Sequence, residues 1–144
     1  MNAKQKTKWL RSEPYLAWVR TLPSAISGQF GCVAHHLIGH GRCGTQKTHD
    51  YWAIPLTDAE HKELHDKGWR AWEMENFSQW TLAANTLEDA VNVGVLDVVN
   101  ESRMTQVWAL SRDDDQLCYG HISMLESGEL TLNKKAALGR NNIL

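Results

Sequence analysis

The chain has 144 residues, a formal net charge of −2 and three cysteines. This length suffices for one domain with a hydrophobic core, or for one domain with a small appendage. No apolar run reaches the roughly eighteen residues that a membrane-spanning helix needs, and no apolar core of a secretion signal follows the N-terminal lysines. Three cysteines without C-x-x-C spacing are typical of a reducing compartment, so a cytoplasmic protein is expected.

The charge is divided unevenly along the chain. Residues 1–50 contain seven Lys and Arg residues against Glu13 and Asp50, a net charge of +5, whereas the remaining residues carry −7. A basic segment of this kind favours a polyanionic partner such as nucleic acid. The N-terminal lysines are equally compatible with a solvated tail.

Residues 1–11 are predicted to form a basic, flexible arm. Ser12 with Glu13-Pro14 then predicts a helix start, because proline is tolerated in the first helical turn. The apolar residues that follow share one helical face up to Pro23, namely Tyr15, Leu16, Val19 and Leu22. A turn-rich link over Ser24–Gly31 leads to the next element.

Six of the seven histidines lie between His35 and His65. Val33–Ile38 is an apolar run interrupted by His35 and His36. If the run is a strand, alternation sends these two side chains to opposite faces, so that one can bind a metal while the other handles a proton. Ala53–Leu56 is a second short apolar run, which is also predicted to be a strand.

A helix is predicted from about Asp58 to Lys67. Thr57 and Glu60 have capping-box spacing at its start, and the glycine after its last turn can take the positive φ of a helix end. His61 and His65 therefore stand one turn apart on one face. Their Cβ atoms would be about 5–6 Å apart, which suits two imidazoles that bind one metal ion.

This order of strand, glycine-bearing loop, strand and helix resembles the ββα-metal core of HNH endonucleases. The segments AHHLIGHG and GTQKTHDYWAIPL, followed by two helical histidines, are particularly similar to phage recombination-enhancement nucleases, which act on DNA together with RecA, and to their prophage relatives. The resemblance extends upstream to Ser12–Pro23 and, more faintly, downstream to Trp72–Gln79. It implies an α+β protein in which helices flank a ββα-metal (HNH) core.

The resemblance also implies roles for individual residues. The implied ligands of one divalent metal ion are His35, His61 and His65. His36 resembles the general base, and Asp50, or less well His49, falls near the position that orients the base. The ion is expected to be Zn, Ni, Mn or Mg, and three imidazoles suit the first three better than Mg, which prefers oxygen ligands.

Two departures from the family pattern concern cysteines. Ser24 and Ser27 stand where relatives often carry a Cys-x-x-Cys pair, and Thr57 stands where relatives often have a cysteine before the helical histidine. A structural zinc ion held by cysteines is therefore not expected, and an apolar core must hold the fold together.

The loop after the first strand is expected to contact DNA phosphates. Its glycines allow the backbone to approach a phosphate closely, although glycines alone mark only a long turn. The expected phosphate contacts are Arg42, Lys47 and His40. Contacts of this kind position a strand rather than read its bases, so little sequence preference is expected.

Other interpretations of the histidines stay open. The segment HKELH is similar to a metalloprotease motif, but that motif needs Glu directly after the first His, where this chain has Lys62. A structural zinc module that binds DNA without cutting it, completed by Cys32 or Cys43, is the serious alternative. A closed structural site would leave the free histidine beside a ligand without a role. The histidines could also be scattered surface residues.

The second half of the chain is predicted to contain helices and then a small antiparallel β meander. One helix is expected over about Trp69–Ala84, and Thr86 could cap a further helix. The expected strands of the meander are Gln106–Leu110, Leu117–Leu125 and Leu130–Leu132, separated by turns at Asp113–Asp115 and Glu126–Gly128. Cys118 and His121, in one of these strands, are interpreted as packing residues.

Three regions and one function follow from these patterns. The regions are an arm over residues 1–11, a nuclease domain over 12–99 and a β-rich appendage with a polar tail over 100–144. The expected function is metal-dependent hydrolysis of DNA phosphodiester bonds by an HNH endonuclease. The resemblance implies a phage or prophage origin, a link to recombination, a RecA-type filament as partner, and the bacterial host cytoplasm as location.

Overall fold

Two short antiparallel strands and the helix that follows them carry three of the seven histidines, namely His35, His61 and His65. A computed structural model describes residues 8–40, 47–109 and 113–139. In it, β1 (Cys32–His35) pairs with β2 (Ile54–Thr57), and His35 lies opposite Ile54. Helix α2 (Asp58–Lys67) begins directly after β2.

The start of α2 is fixed by the predicted capping box. The Thr57 hydroxyl accepts a hydrogen bond from Glu60 N, and the Glu60 carboxylate accepts one from Thr57 N. The helix ends at Gly68, which has a φ of +89°. These short-range bonds confirm the predicted helix bounds and set the direction in which the histidines of α2 project.

The remaining elements surround this unit with helices and a second small sheet. The helices are α1 (Glu13–Arg20), a 3₁₀ turn (Asp50–Trp52), α3 (Trp69–Glu75), α4 (Gln79–Asn92), α5 (Glu101–Trp108), α6 (Asp114–Ser127) and α7 (Lys134–Gly139). Strand β3 (Leu96–Val98) pairs antiparallel with β4 (Leu130–Leu132). The chain therefore has a mixed α+β fold, and none of the helices described is long and apolar enough to cross a membrane.

One hydrophobic core joins both halves of the described chain. Trp52 is fully buried, and its indole N–H donates to the carbonyl of Cys118 in α6. Helix α6 also packs against α4, and α7 packs against α1. The C-terminal helices thus bury the side of the core that the histidine-bearing unit leaves open.

The helix predicted over Trp69–Ala84 is in fact two helices. The chain leaves helical geometry at Asn76, and the Ser78 hydroxyl caps α4 by accepting from Trp80 N. Thr86 does not cap a further helix, because it lies in the middle of α4 and its hydroxyl donates to the Leu82 carbonyl. A local polar cap after Phe77 outweighs the continuous apolar periodicity of this stretch.

The predicted β meander is wrong except for its last strand. The segments predicted as Gln106–Leu110 and Leu117–Leu125 lie mainly in α5 and α6, and Leu130–Leu132 pairs with β3 rather than with a neighbouring meander strand. The buried residues of α6 recur at helical spacing, namely Leu117, Cys118, His121, Ile122 and Met124. The two predicted turns are instead the start of α6 and its end at Gly128, whose φ is +83°.

Candidate metal centre and the adjacent histidine

Three histidines from β1 and α2 lie together, as the sequence predicts. One ligand atom from each of His35, His61 and His65 lies within 4.8 Å of the other two. The Nε2 atoms of His61 and His65 are 3.1 Å apart, and the ring of His35 is centred 5.1 Å from the ring of His61. Three imidazoles with this spacing could hold one metal ion.

His35 is the buried member of this cluster. Only 2% of the residue is exposed, and burial lowers the pKa of its imidazole to about 4, so the ring is neutral at neutral pH. His35 Nε2 lies 2.9 Å from Gln79 Oε1. Because an amide oxygen only accepts, His35 Nε2 must carry the proton, which leaves the lone pair of Nδ1 available to a metal.

Gln79 is held by a network that fixes the orientation of its amide. It is fully buried at the start of α4. Its Oε1 also accepts from Ile38 N at 3.2 Å, and its Nε2 donates to Ile38 O at 3.0 Å and to Glu73 Oε2 at 2.9 Å. The same carboxylate oxygen lies 2.8 Å from His40 Nε2. Gln79 is the last residue of the downstream segment Trp72–Gln79 that shares the resemblance, but nothing in the sequence assigns it a role, which only its burial and hydrogen bonds reveal.

His36 points away from the three-histidine cluster and contacts Asp50. His36 Nε2 lies 2.7 Å from Asp50 Oδ1, and the His36 side chain is 14% exposed. Because an ionised carboxylate only accepts, His36 Nε2 carries the proton and Nδ1 carries the lone pair. The two adjacent histidines therefore serve two separate contact networks, although the strand is shorter than predicted: β1 ends at His35, and His36 directly follows it.

Asp50 is fixed from the N-terminal side of the chain. Its Oδ2 accepts from Ser12 N at 2.7 Å, and its Oδ1 also accepts from Arg11 at 3.2 Å. Burial acts to raise the pKa of Asp50, but the hydrogen bonds from His36 and Ser12 N and the Arg11 charge outweigh it, so the pKa is lowered. Asp50 is therefore an ionised acceptor at neutral pH.

Leu10 and Arg11 belong to the folded part of the chain rather than to a flexible arm. Leu10 N donates to His49 Nδ1 at 2.9 Å, and Asp50 N donates to Leu10 O at 2.9 Å. The Arg11 guanidinium donates to the carbonyls of Thr48 and Lys47. Residues 1–7 of the predicted arm lie outside the described residues.

A cavity of about 490 Å³ opens beside the His36–Asp50 pair. Its lining combines cations and apolar groups with this pair and consists of Trp9, Arg11, Leu16, His36, Lys47 and Asp50. Lys47, predicted to contact a phosphate, is exposed there. Arg11, which was predicted to lie in the flexible arm, is a second cation in the lining of this cavity.

The other two predicted phosphate contacts have different positions. Arg42 lies outside the described residues. His40 is bonded to Glu73, and its ring lies 4.3 Å from the ring of Trp69 and 5.5 Å from that of Trp80. Its Nε2 is therefore engaged in the network that holds Gln79.

The residues that the sequence left as alternatives have other contacts in the structure. His49, the weaker candidate for orienting the base, accepts from Leu10 N, and burial lowers its pKa to about 4. Ser24 stands where relatives often have a cysteine. Its hydroxyl accepts from Ile26 N and Ser27 N and donates to the Glu60 carboxylate. The thiol of Cys32 faces the Gln29 carbonyl, and Cys43 lies outside the described residues.

A family model described as "Protein of unknown function (DUF968)" matches residues 1–94, which include every candidate residue above. The chain is also similar to the uncharacterized protein YdfU of Escherichia coli (strain K12), with 37% identity over 97 residues, or 67% of this chain. That match covers 27% of the relative, so the chain spans about a quarter of the length of YdfU. No solved structure is significantly similar to the chain.

Proposed function

The chain belongs to the DUF968 family, and we propose that it is a metal-dependent endonuclease that hydrolyses DNA phosphodiester bonds. The observation that carries this proposal is the pair His35 and His36, adjacent in sequence. One contributes to a three-histidine cluster, and the other is bonded to a buried carboxylate beside an open cavity. A metal centre next to an oriented base suits hydrolysis, whereas a purely structural metal site has no use for the second histidine.

The chemistry of the three-histidine cluster fits a divalent transition metal. Its donors are three imidazoles, and the buried His35 has its proton directed to Gln79 and not into the cluster. His35, His61 and His65 would hold the ion, with Zn, Ni and Mn better suited than Mg. When bound, the ion would neutralise charge on the phosphate and on the departing 3′ oxygen.

His36 is the proposed general base. With its Nε2 proton directed to Asp50, its Nδ1 lone pair can accept a proton from a water molecule that attacks the phosphorus. Asp50 keeps this tautomer and stabilises the imidazolium that forms, because it stays ionised through its bonds to Ser12 N and Arg11. Asp50 is thus a positioning residue rather than a proton acceptor.

Arg11 and Lys47 are the proposed phosphate contacts in the described part of the chain. Both line the cavity that His36 and Asp50 also line, and the Arg11 side chain is 47% exposed although it is anchored by backbone carbonyls. Two cations at the mouth of the cavity favour a polyanionic strand and hold it without reading its sequence. Arg42 remains a candidate by sequence.

The proposed fold identity is the ββα-metal core of HNH endonucleases. Strands β1 and β2 with helix α2 have the order and connection of such a core, and the histidines stand on β1 and α2. A role in recombination alongside a RecA-type filament, and a phage or prophage origin, are proposed from the resemblance of the sequence alone.

A plasmid-nicking assay tests the proposal. Purified protein is stripped of metal with a chelator and then supplied separately with zinc, nickel, manganese or magnesium salts. Nicking is expected with at least one of the first three and not with chelator present. His61→Ala should abolish metal binding and nicking, whereas Lys62→Ala, the exposed next residue of the same helix, should preserve both. A protein that binds zinc and DNA but never cuts would support the structural zinc module instead.

A further inference from the structure

The cavity beside His36 combines two kinds of surface that a simple phosphate site does not need. Arg11 and Lys47 supply positive charge, whereas Trp9 and Leu16 supply an aromatic ring and an aliphatic side chain. The cations fit an anionic group, and the indole fits a flat apolar group. A ligand of this cavity should therefore carry both groups close together.

A single nucleotide of a DNA strand has this combination. Its phosphate is anionic, and its base is flat and can stack on an indole. The volume of about 490 Å³ lies within the range of pockets for single small ligands, roughly 300–1,000 Å³. A cavity of this size can accept one nucleotide that projects from a strand.

Base pairing decides whether Trp9 can be used in this way. In a duplex, both faces of each base are covered by neighbouring bases, and a protein reaches only base edges, sugars and phosphates. An indole can meet the face of a base only when that nucleotide has left the stack. A stacking ring beside the reacting groups therefore selects unpaired strands.

The position of Trp9 is tied to the segment that orients the base. The Trp9 ring packs edge-on against the ring of His49 at 4.9 Å. His49 accepts from Leu10 N, and Leu10 O accepts from Asp50 N. The segment that carries the indole is thereby bonded to the segment that carries the carboxylate of Asp50, and both residues line the same cavity.

From this arrangement we infer that the protein acts on unpaired DNA, with Trp9 stacking on a base beside the phosphate that is cut. The inference rests on the proposed function, whose substrate it specifies. Arg11 and Lys47 hold the flanking backbone, and Leu16 contributes the apolar floor. Single-stranded DNA, or a nucleotide released from a frayed duplex, is the substrate class, and a fully paired duplex is a poor substrate.

Binding of fluorescein-labelled DNA to the full chain, measured by anisotropy in a chelator so that no cutting occurs, tests the inference. The probes are a single strand of about 16 nucleotides, its duplex, and an all-abasic strand of equal length. Trp9→Ala should weaken single-strand binding about tenfold or more and duplex binding less than about twofold, the expected scale of one lost stacking contact. Trp9→Phe should retain most of the affinity. Phe30→Ala, which removes an aromatic residue that is 74% exposed and outside the cavity lining, should change neither.

The abasic strand keeps the inference testable even if Trp9→Ala does not fold. The wild-type protein should bind the abasic strand about tenfold or more weakly than the natural strand, and Trp9→Ala should discriminate far less between the two. Equal binding of natural and abasic strands by the wild type would overturn the inference. Equal losses of single-strand and duplex affinity in Trp9→Ala would also overturn it, because the ring would then contact the sugar–phosphate backbone.

These outcomes separate the inference from the proposed function. If binding depends on Trp9 and on the base but no metal salt supports cutting, the endonuclease proposal fails and the unpaired-strand subsite stands. If the protein cuts DNA but cuts paired and unpaired strands equally, before and after the Trp9 substitution, the subsite fails and the endonuclease proposal stands.

Discussion

Replacing Gln79 by leucine should lower metal affinity without touching any of the three candidate ligands. Leucine has a similar volume, so the replacement leaves little empty space in the core but removes both the acceptor and the donor of the amide. His35 Nε2 then loses its acceptor, and both nitrogen positions compete for the ring proton. A fraction of the molecules would then carry the proton on His35 Nδ1, the nitrogen whose lone pair must be free to bind a metal.

The size of the effect follows from the contacts that disappear. Gln79 makes four side-chain hydrogen bonds in a fully buried position, to His35, Glu73 and both backbone groups of Ile38. Removing the outer partner of a metal-binding histidine commonly costs about 10- to 100-fold in metal affinity. Leaving buried partners unpaired should also lower the free energy of unfolding by about 2–4 kcal/mol.

The assay is a competitive titration of zinc against a coloured chelator, combined with urea unfolding of the metal-free protein. Gln116→Leu is the matched control, because Gln116 is exposed on α6 and is not among the residues of the histidine cluster or of the Gln79 network. The control should leave both quantities unchanged. Zinc affinity of Gln79→Leu within twofold of wild type, despite lower stability, would show that Gln79 supports only the fold and would refute this reasoning.

Three further predictions concern acid sensitivity, a glycine and the salt dependence of binding. Folding lowers the pKa of His49 from 6.5 to about 4, so the contribution of neutral His49 to the free energy of unfolding is fully present above pH 6.5 and is lost as the pH falls from 6.5 towards 4. His49→Asn should reduce this acid-induced loss by about 2 kcal/mol, measured by urea unfolding. Gly39→Ala should lower Tm by about 5–10 °C, because Gly39 has a φ of +82° and an added Cβ would lie 2.1 Å from the Trp69 indole nitrogen. Gly28→Ala should lower Tm less, because Gly28 also has a positive φ but no atom lies within 4 Å of an added Cβ. Replacing Arg11 and Lys47 together by alanine should weaken DNA binding at every sequence and flatten the slope of log affinity against log salt by about one to two units; an unchanged slope would place the strand elsewhere.

Short-range signals in the sequence predicted the central part of this fold. The capping box of Thr57 and Glu60 involves residues three apart, so the start of α2 and the shared face of His61 and His65 follow from local bonding. The side chains of His35 and His36 also diverge as predicted, although β1 ends at His35 and His36 directly follows it. Such features depend on few neighbours, and the structure has them where the sequence places them.

Contacts between distant segments could not be predicted in the same way. Gln79 is 44 positions from His35, and Arg11 is 39 positions from Asp50. Arg11 lies outside the segments that resemble the nucleases, Gln79 only ends the faintest of them, and a glutamine or arginine is usually exposed. Their roles depend on how α1 and α4 pack against the histidine-bearing unit, which one sequence does not reveal.

The C-terminal helices were mispredicted for a different reason. Polar clusters at Asp113–Asp115 and Glu126–Gly128 are compatible both with turns between strands and with the two ends of a helix. The spacing of Leu117, Cys118, His121 and Ile122 decides between them, because these residues face the core only in a helix. The helical spacing of these residues therefore indicates α6 more reliably than the polar clusters at its two ends indicate turns.

Zinc content and DNA cleavage, measured on the same preparations of His35→Ala and His36→Ala, show whether the adjacent histidines divide metal binding from proton transfer. His35→Ala should lose both the metal and cleavage. His36→Ala should retain one metal ion per chain and lose most of its cleavage, about a hundredfold or more. Loss of metal from His36→Ala would make His36 a ligand, and cleavage by that variant at the wild-type rate would rule it out as the general base.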